Sequence, residues 1–230
     1  MIELSSLFTI IFAGLILGLT HALEADHIAA VSTLATQKSN FKDLFKLGGF
    51  WGLGHTTSII AVGLIVLLFK IELPDSFAPI LETLVGIMLI WLGVRLLKKI
   101  HQEKIHIHIH EHNGKKHSHF HSHSLNTSHH HQHRSFFIGL IHGLAGSAVL
   151  MLLVLATIDK VSLGILYLLI FGAGSTLGMA VISSLMGLPL NFFKNSQKII
   201  QNIQLVAAIF SIYIGSTIII EFTKQLTIYL

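Results

Sequence analysis

Polar residues in this chain are gathered into short intervals between long apolar blocks, and the blocks lack the one-sided spacing of amphipathic helices. That pattern predicts membrane-spanning helices rather than a soluble core. Six spans are expected, at 6–34, 48–69, 79–98, 136–157, 161–187 and 200–221. Each is about long enough to cross ~30 Å of hydrocarbon at ~1.5 Å per residue. The first and fifth are long and glycine-interrupted, which predicts breaks or tilts. The expected fold class is an all-α polytopic membrane protein.

Composition agrees with this. The chain is 52% hydrophobic and 11% charged, with a mean hydropathy of +0.73. A soluble domain carries about 25% charged residues. With no cysteine, disulfide frameworks and thiolate metal sites are excluded. "MIELSSLF" has neither a basic leader nor a small-residue cleavage site, so the first span is expected to be retained.

Charge then orients the spans. Twelve cationic side chains fall on one side: Lys38, Lys42, Lys46, Arg95, Lys98, Lys99, Lys104, Lys115, Lys116, Arg134, Lys194 and Lys198. Three fall on the other: Lys70, Lys160 and Lys224. The asymmetry predicts extracytoplasmic termini and a cytoplasmic 101–133 loop in an inner or plasma membrane protein. The pI near 9.4 follows from this topology, and no nucleic-acid partner is expected.

The two halves of the chain resemble each other. "GLTHAL" (18–23) matches "GLIHGL" (139–144), setting His21 opposite His142. "GLGHTTS" (52–58) matches "GAGSTLG" (172–178), setting His55 opposite Ser175, and "LVGIMLIWLG" (84–93) roughly matches "LVAAIFSIYIG" (205–215). Three spans per half make the second half inverted in the membrane, a transporter plan with its substrate site near midplane. The expected organisation is a three-helix repeat at 1–100, a His-rich loop at 101–134 and a second three-helix repeat at 135–230.

Candidate chemistry centres on "HALEADH" (21–27). Of seventeen histidines only His21, His27, His55 and His142 fall inside spans, and Glu24 and Asp26 are the clearest intramembrane acids. A charged group at the bilayer centre costs at least ~2.5–3.5 kcal/mol, so such groups mark function. Counted from the span ends, all four histidines reach a similar depth. Imidazole with carboxylate is a ligand set for a divalent transition metal. At ~100° per residue, His21 and Asp26 lie about 140° apart. Either the helix therefore unwinds locally, or these residues divide between ligands and groups that orient them. The candidate ligands are His21, Asp26, His27 and His55, and Glu24, His142, Thr56 and Ser175 are secondary. The hydroxyls of Thr56 and Ser175 also suit helix packing.

Thirteen histidines crowd residues 101–133, in "HIHIHIHEH", "HSHFHSH" and "HHHQH". This composition predicts a disordered metal-binding tract. Alternation in "IHIHIH" suits a short strand, but nothing nearby in the sequence offers a partner.

"HALEADHIAA" resembles the signature of the nickel/cobalt transporter superfamily, and "GLGHTTSII" resembles that family's second motif. "HGLAGSAVL" and "FGAGSTLGM" resemble segments of its shorter branch, the urease-accessory nickel permeases. The resemblance implies that His21, Asp26, His27 and His55 are essential for transport. Glu24 stands where many members have Asp, and no later acidic motif is found. The expected function is thus a permease rather than an enzyme, taking up Ni2+ or Co2+ as substrate with no prosthetic group. Its implied partners are the metal ion, the lipid bilayer and cytoplasmic metallochaperones or urease maturation proteins. Nickel or cobalt efflux is the alternative, and an intramembrane metalloenzyme is a remote one.

Overall fold

A computed structural model describes residues 4–36, 40–70, 77–105, 110–112, 115–117, 130–144, 158, 160–193 and 195–229. The described helices are α1 (Leu4–His21), α2 (Ala25–Ala35), α3 (Phe41–Phe69), α4 (Phe77–Ile105), α5 (His130–Gly143), α6 (Val161–Met186), α7 (Leu188–Phe192) and α8 (Gln197–Tyr229). Four of the described helical stretches are long and apolar enough to cross a bilayer: Phe41–Phe69, Pro79–Gln102, Val161–Phe192 and Gln197–Gln225. Helices α1 and α2 together supply a fifth, bent by 54°. The protein is a multi-pass membrane protein. Of the expected span at 136–157, residues 136–144 are described, and the remainder lies outside the described residues apart from this helical start.

The described membrane portion is all-helical, as expected. Outside it, within the predicted loop, β1 (His110–His112) and β2 (Lys115–His117) form a short antiparallel pair with His110 opposite His117. Strand β1 shares only His110 with "IHIHIH", whose residues 106–109 lie outside the described residues. Helix α4 runs on to Ile105 and α5 begins at His130, so the helices extend into both ends of the 101–134 segment. The rest of the predicted tract lies outside the described residues.

The break between α1 and α2, one of the two outcomes that spacing leaves open, has a local cause. Leu23 N–H donates to the Thr20 carbonyl and Glu24 N–H to the His21 carbonyl, closing α1. Glu24 is then extended (φ −62°, ψ 148°) and its carbonyl accepts the Ile28 N–H that opens α2. The interruption thus leaves these backbone groups satisfied, as hydrocarbon requires.

Helix α1 packs on α6, α3 on both α5 and α6, and α4 on α8. Small residues let these backbones touch. A β-carbon at Gly54 would collide with the Phe136 carbonyl and crowd the Leu140 amide, and one at Gly174 would crowd the Leu15 carbonyl and the Leu19 amide. Gly18 abuts the Phe171 carbonyl as Gly139 abuts that of Trp51, and Gly93 meets Ala208 as Gly215 meets Gly86. Each pair turns into the other when the two halves are exchanged at the offset seen in the sequence. In membranes, where lipid matches side chains in apolarity, such close approach is what holds helices together. The buried centre is built from Ala29, Ala30, Val31, Trp51, Leu89 and Met179. Large apolar side chains such as Phe12, Leu53, Ile87, Trp91, Leu169 and Ile209 point outward, as a bilayer solvent allows.

Candidate metal centre

Four helices end or pass at one buried point. His21 is the last residue of α1, His27 lies in the first turns of α2, His55 in the middle of α3, and His142 in the last turn of α5. Their relative exposures are 4%, 0%, 0% and 1%. Centroid separations among the rings are 4.3 Å for His21–His27, 5.1 Å for His21–His55, 5.0 Å for His27–His55 and 4.2 Å for His27–His142. Ligand-capable atoms of His21, His27 and His55 lie within 4.8 Å of one another, and so do those of Asp26, His27 and His142.

The acids fix which ring nitrogens face inward. Glu24 Oε1 is 2.7 Å from His21 Nδ1. Asp26 Oδ1 is 2.9 Å from His27 Nδ1 and accepts the His27 backbone N–H at 2.8 Å. Asp26 Oδ2 is 3.0 Å from His142 Nε2. An ionised carboxylate only accepts, so each of these ring nitrogens carries the proton and the opposite nitrogen of each neutral ring is a lone pair. The lone pairs are then His21 Nε2, His27 Nε2 and His142 Nδ1.

His21 Nε2 lies 3.0 Å from His55 Nε2. Without an ion, His55 must donate there. With one, its proton moves to Nδ1, which has no partner among the described residues. The Nε2 of His27 and Nδ1 of His142 are likewise buried and unpartnered there. Two imidazole nitrogens at ~2.0–2.1 Å from one ion, at a right angle, would lie ~2.9 Å apart. The donors present therefore suit a divalent ion, and the carboxylate-on-histidine arrangement is the kind that orients ligand rings in metal sites.

The structure thus gathers His21, Glu24, Asp26, His27, His55 and His142. Neither Thr56 nor Ser175 is hydrogen-bonded to these six side chains among the described residues. Thr56 Oγ1 is 2.9 Å from both the Gly172 carbonyl and Thr176 Oγ1, stitching α3 to α6. Ser175 is fully buried, its hydroxyl without a partner among the described residues and its backbone amide against Gly18. Two aromatic walls go unmarked in the sequence reading. Trp51 stands 5.4 Å from the His27 ring and 5.5 Å from that of His142, and Phe171 stands 5.6 Å from that of His21. Their signal is the repeat itself, in which Trp51 of "WGLGH" and Phe171 of "FGAGS" hold the same place.

The transmembrane region described as that of the cytochrome C biogenesis protein matches residues 9–217. The urease accessory protein UreH of Bacillus sp. (strain TB-90) is 36% identical over 189 residues, 80% of this chain and 78% of that protein. No solved structure matches the chain.

Proposed function

Because the chain belongs to the cytochrome C biogenesis protein transmembrane region family and to the family of the urease accessory protein UreH, we propose that it is a permease for a divalent transition metal, with nickel as the substrate and uptake as the direction. The narrower kinship with nickel/cobalt transporters is part of this proposal. One observation carries it: three buried imidazoles share a point where His21 Nε2 and His55 Nε2 are 3.0 Å apart, and the Nδ1 atoms of His21 and His27 are occupied by carboxylates. A 3.0 Å separation of His21 Nε2 and His55 Nε2 would suit donors near a right angle, as Ni(II) or Cu(II) prefers, and kinship with a urease accessory protein favours nickel.

In this reading His21, His27 and His55 ligate the ion. Glu24 orients His21, and Asp26 orients His27. Asp26 also reaches His142 on the other half of the molecule. Rocking of the halves would stretch that link and open the site to one side at a time. An enzyme would have to bring an organic substrate to imidazoles that are at most 4% exposed, whereas a dehydrated ion needs only its own volume. As the chain has no cysteine, thiol exchange is closed to it whatever the family description suggests. The termini are extracytoplasmic and the His-rich loop cytoplasmic, placed to pass the arriving metal to chaperones or urease maturation proteins.

Elemental analysis of cells expressing the protein tests the proposal. Wild type is expected to accumulate nickel, and His21→Ala and Asp26→Ala to fall toward background. Accumulation by both variants at the wild-type level would overturn it. Flux of radioactive nickel in oriented vesicles gives the direction, and outward flux would replace uptake by efflux.

A further inference from the structure

One intramembrane acid, Glu82, has no part in the histidine group. It lies on α4, one turn inside Pro79, where that span begins. No cation pairs with it among the described residues. It lines a cavity of about 320 Å³ between α2, α4 and α8, whose other walls include Glu24, Asp26, Val85, Thr217 and Ile218.

The far wall of this cavity is the near wall of the metal centre. Glu24 and Asp26 line the one and hold His21 and His27 of the other. Beyond Asp26 stands His27, fully buried, with an Nε2 that has no partner among the described residues. A cation in the cavity is therefore one side chain from the imidazoles. At ~30 Å³ per water, the space holds an ion with about six waters. Three carboxylates at one opening, with apolar walls between them, focus a negative potential that concentrates cations.

We propose that this cavity is the access route of the ion to the histidine centre, and that Glu82 is the residue that recruits the hydrated divalent cation before Asp26 and Glu24 receive it. The inference rests on the metal-permease reading and adds a path and a residue to it. Glu82 is a recruiting residue: it sets how readily the ion arrives, and the imidazoles set how it is bound.

The absence of native cysteine makes the route directly measurable. Thr217→Cys places a single thiol in the cavity wall, and Ile214→Cys is a second such probe. Membrane-impermeant cationic and anionic thiosulfonate reagents are applied from the extracytoplasmic side. Both thiols are expected to react, the cationic reagent roughly tenfold faster, and Glu82→Gln to remove most of that preference. In nickel uptake, Glu82→Gln should raise the apparent KM roughly tenfold with Vmax within about twofold, and Glu82→Asp should restore it. A merely structural role would lower Vmax or protein level instead. Thiols inert to both reagents, or a charge preference that Glu82→Gln leaves intact, would overturn the route. An unmoved KM in Glu82→Gln, with uptake still lost in His21→Ala, would overturn the role of Glu82 alone. No nickel uptake by the wild type would overturn the permease reading and this inference with it.

Discussion

The same place in the repeat is filled by "HALEADH" at 21–27 and by "HGLAGSA" at 142–148. Both begin with a histidine that ends a helix or lies in its last turn. After that they part: Glu24, Asp26 and His27 face Ala145, Ser147 and Ala148 in the second half. His55 faces Ser175 in the same way. The glycines behave oppositely. Gly18 and Gly139, and Gly54 and Gly174, are present in both halves and make equivalent close contacts. Packing needs its small residues in duplicate because each half closes on the other. The chemistry needs one set of donors, and a second set of buried acids would add at least ~2.5–3.5 kcal/mol per charge in the bilayer.

The most severe break of that asymmetry is loss of a donor from the rich half. His55→Ala is expected to reduce nickel accumulation to the level of cells lacking the protein, while Ser175→Ala, its counterpart in the poor half, stays within about twofold of wild type. Equal losses in the two would show that the donors are shared between halves. The packing symmetry makes a different demand. Gly54→Ala and Gly139→Ala place a methyl against a backbone carbonyl, and each should destabilise the protein by about 1–3 kcal/mol or more, read as earlier thermal aggregation in detergent.

An intermediate effect is expected where the halves touch through polar groups. Asp26→Asn keeps one acceptor and loses the charge, and should weaken nickel binding by about 10–100-fold, measured by calorimetry. His142→Ala frees only Asp26 Oδ2 and should cost less. The smallest effect belongs to Thr56→Val. It removes the bond to Gly172 and Thr176, costs about 0.5–1 kcal/mol of stability and leaves metal affinity unchanged. A large loss of binding there would contradict the separation of Thr56 from the donors.

Much of this was legible in the residues. Hydropathy gives the apolar helices, and the incompatible helical angles of His21 and Asp26 leave open either a local break or a division of roles, of which the structure shows the break after His21. Depth along the spans puts His55 and His142 beside the first motif. What the sequence withholds depends on which atom faces which. Spacing offers Asp26 as a ligand, but both of its oxygens receive N–H groups from His27 and His142, and the proposal makes it an orienting group instead. The partners of Thr56 lie 116 and 120 residues away on another helix, and no local pattern encodes them. Glu82 looks like an isolated acid until α2 and α8 enclose it. The β1–β2 pair is hidden because its partner strand, Lys115–His117, lacks alternating apolar residues.

The central claim is a nickel-binding centre made by the membrane histidines alone, separate from the thirteen in the 101–133 loop. Equilibrium nickel binding, measured on purified protein in which residues 106–129 are replaced by a glycine-serine linker joining α4 to α5 and the remaining tract histidines, His101, His130, His131 and His133, are changed to alanine, tests it most directly. One nickel per chain, lost in His21→Ala of the same protein, is the predicted result. No binding, or binding that persists unchanged in His21→Ala, would contradict it.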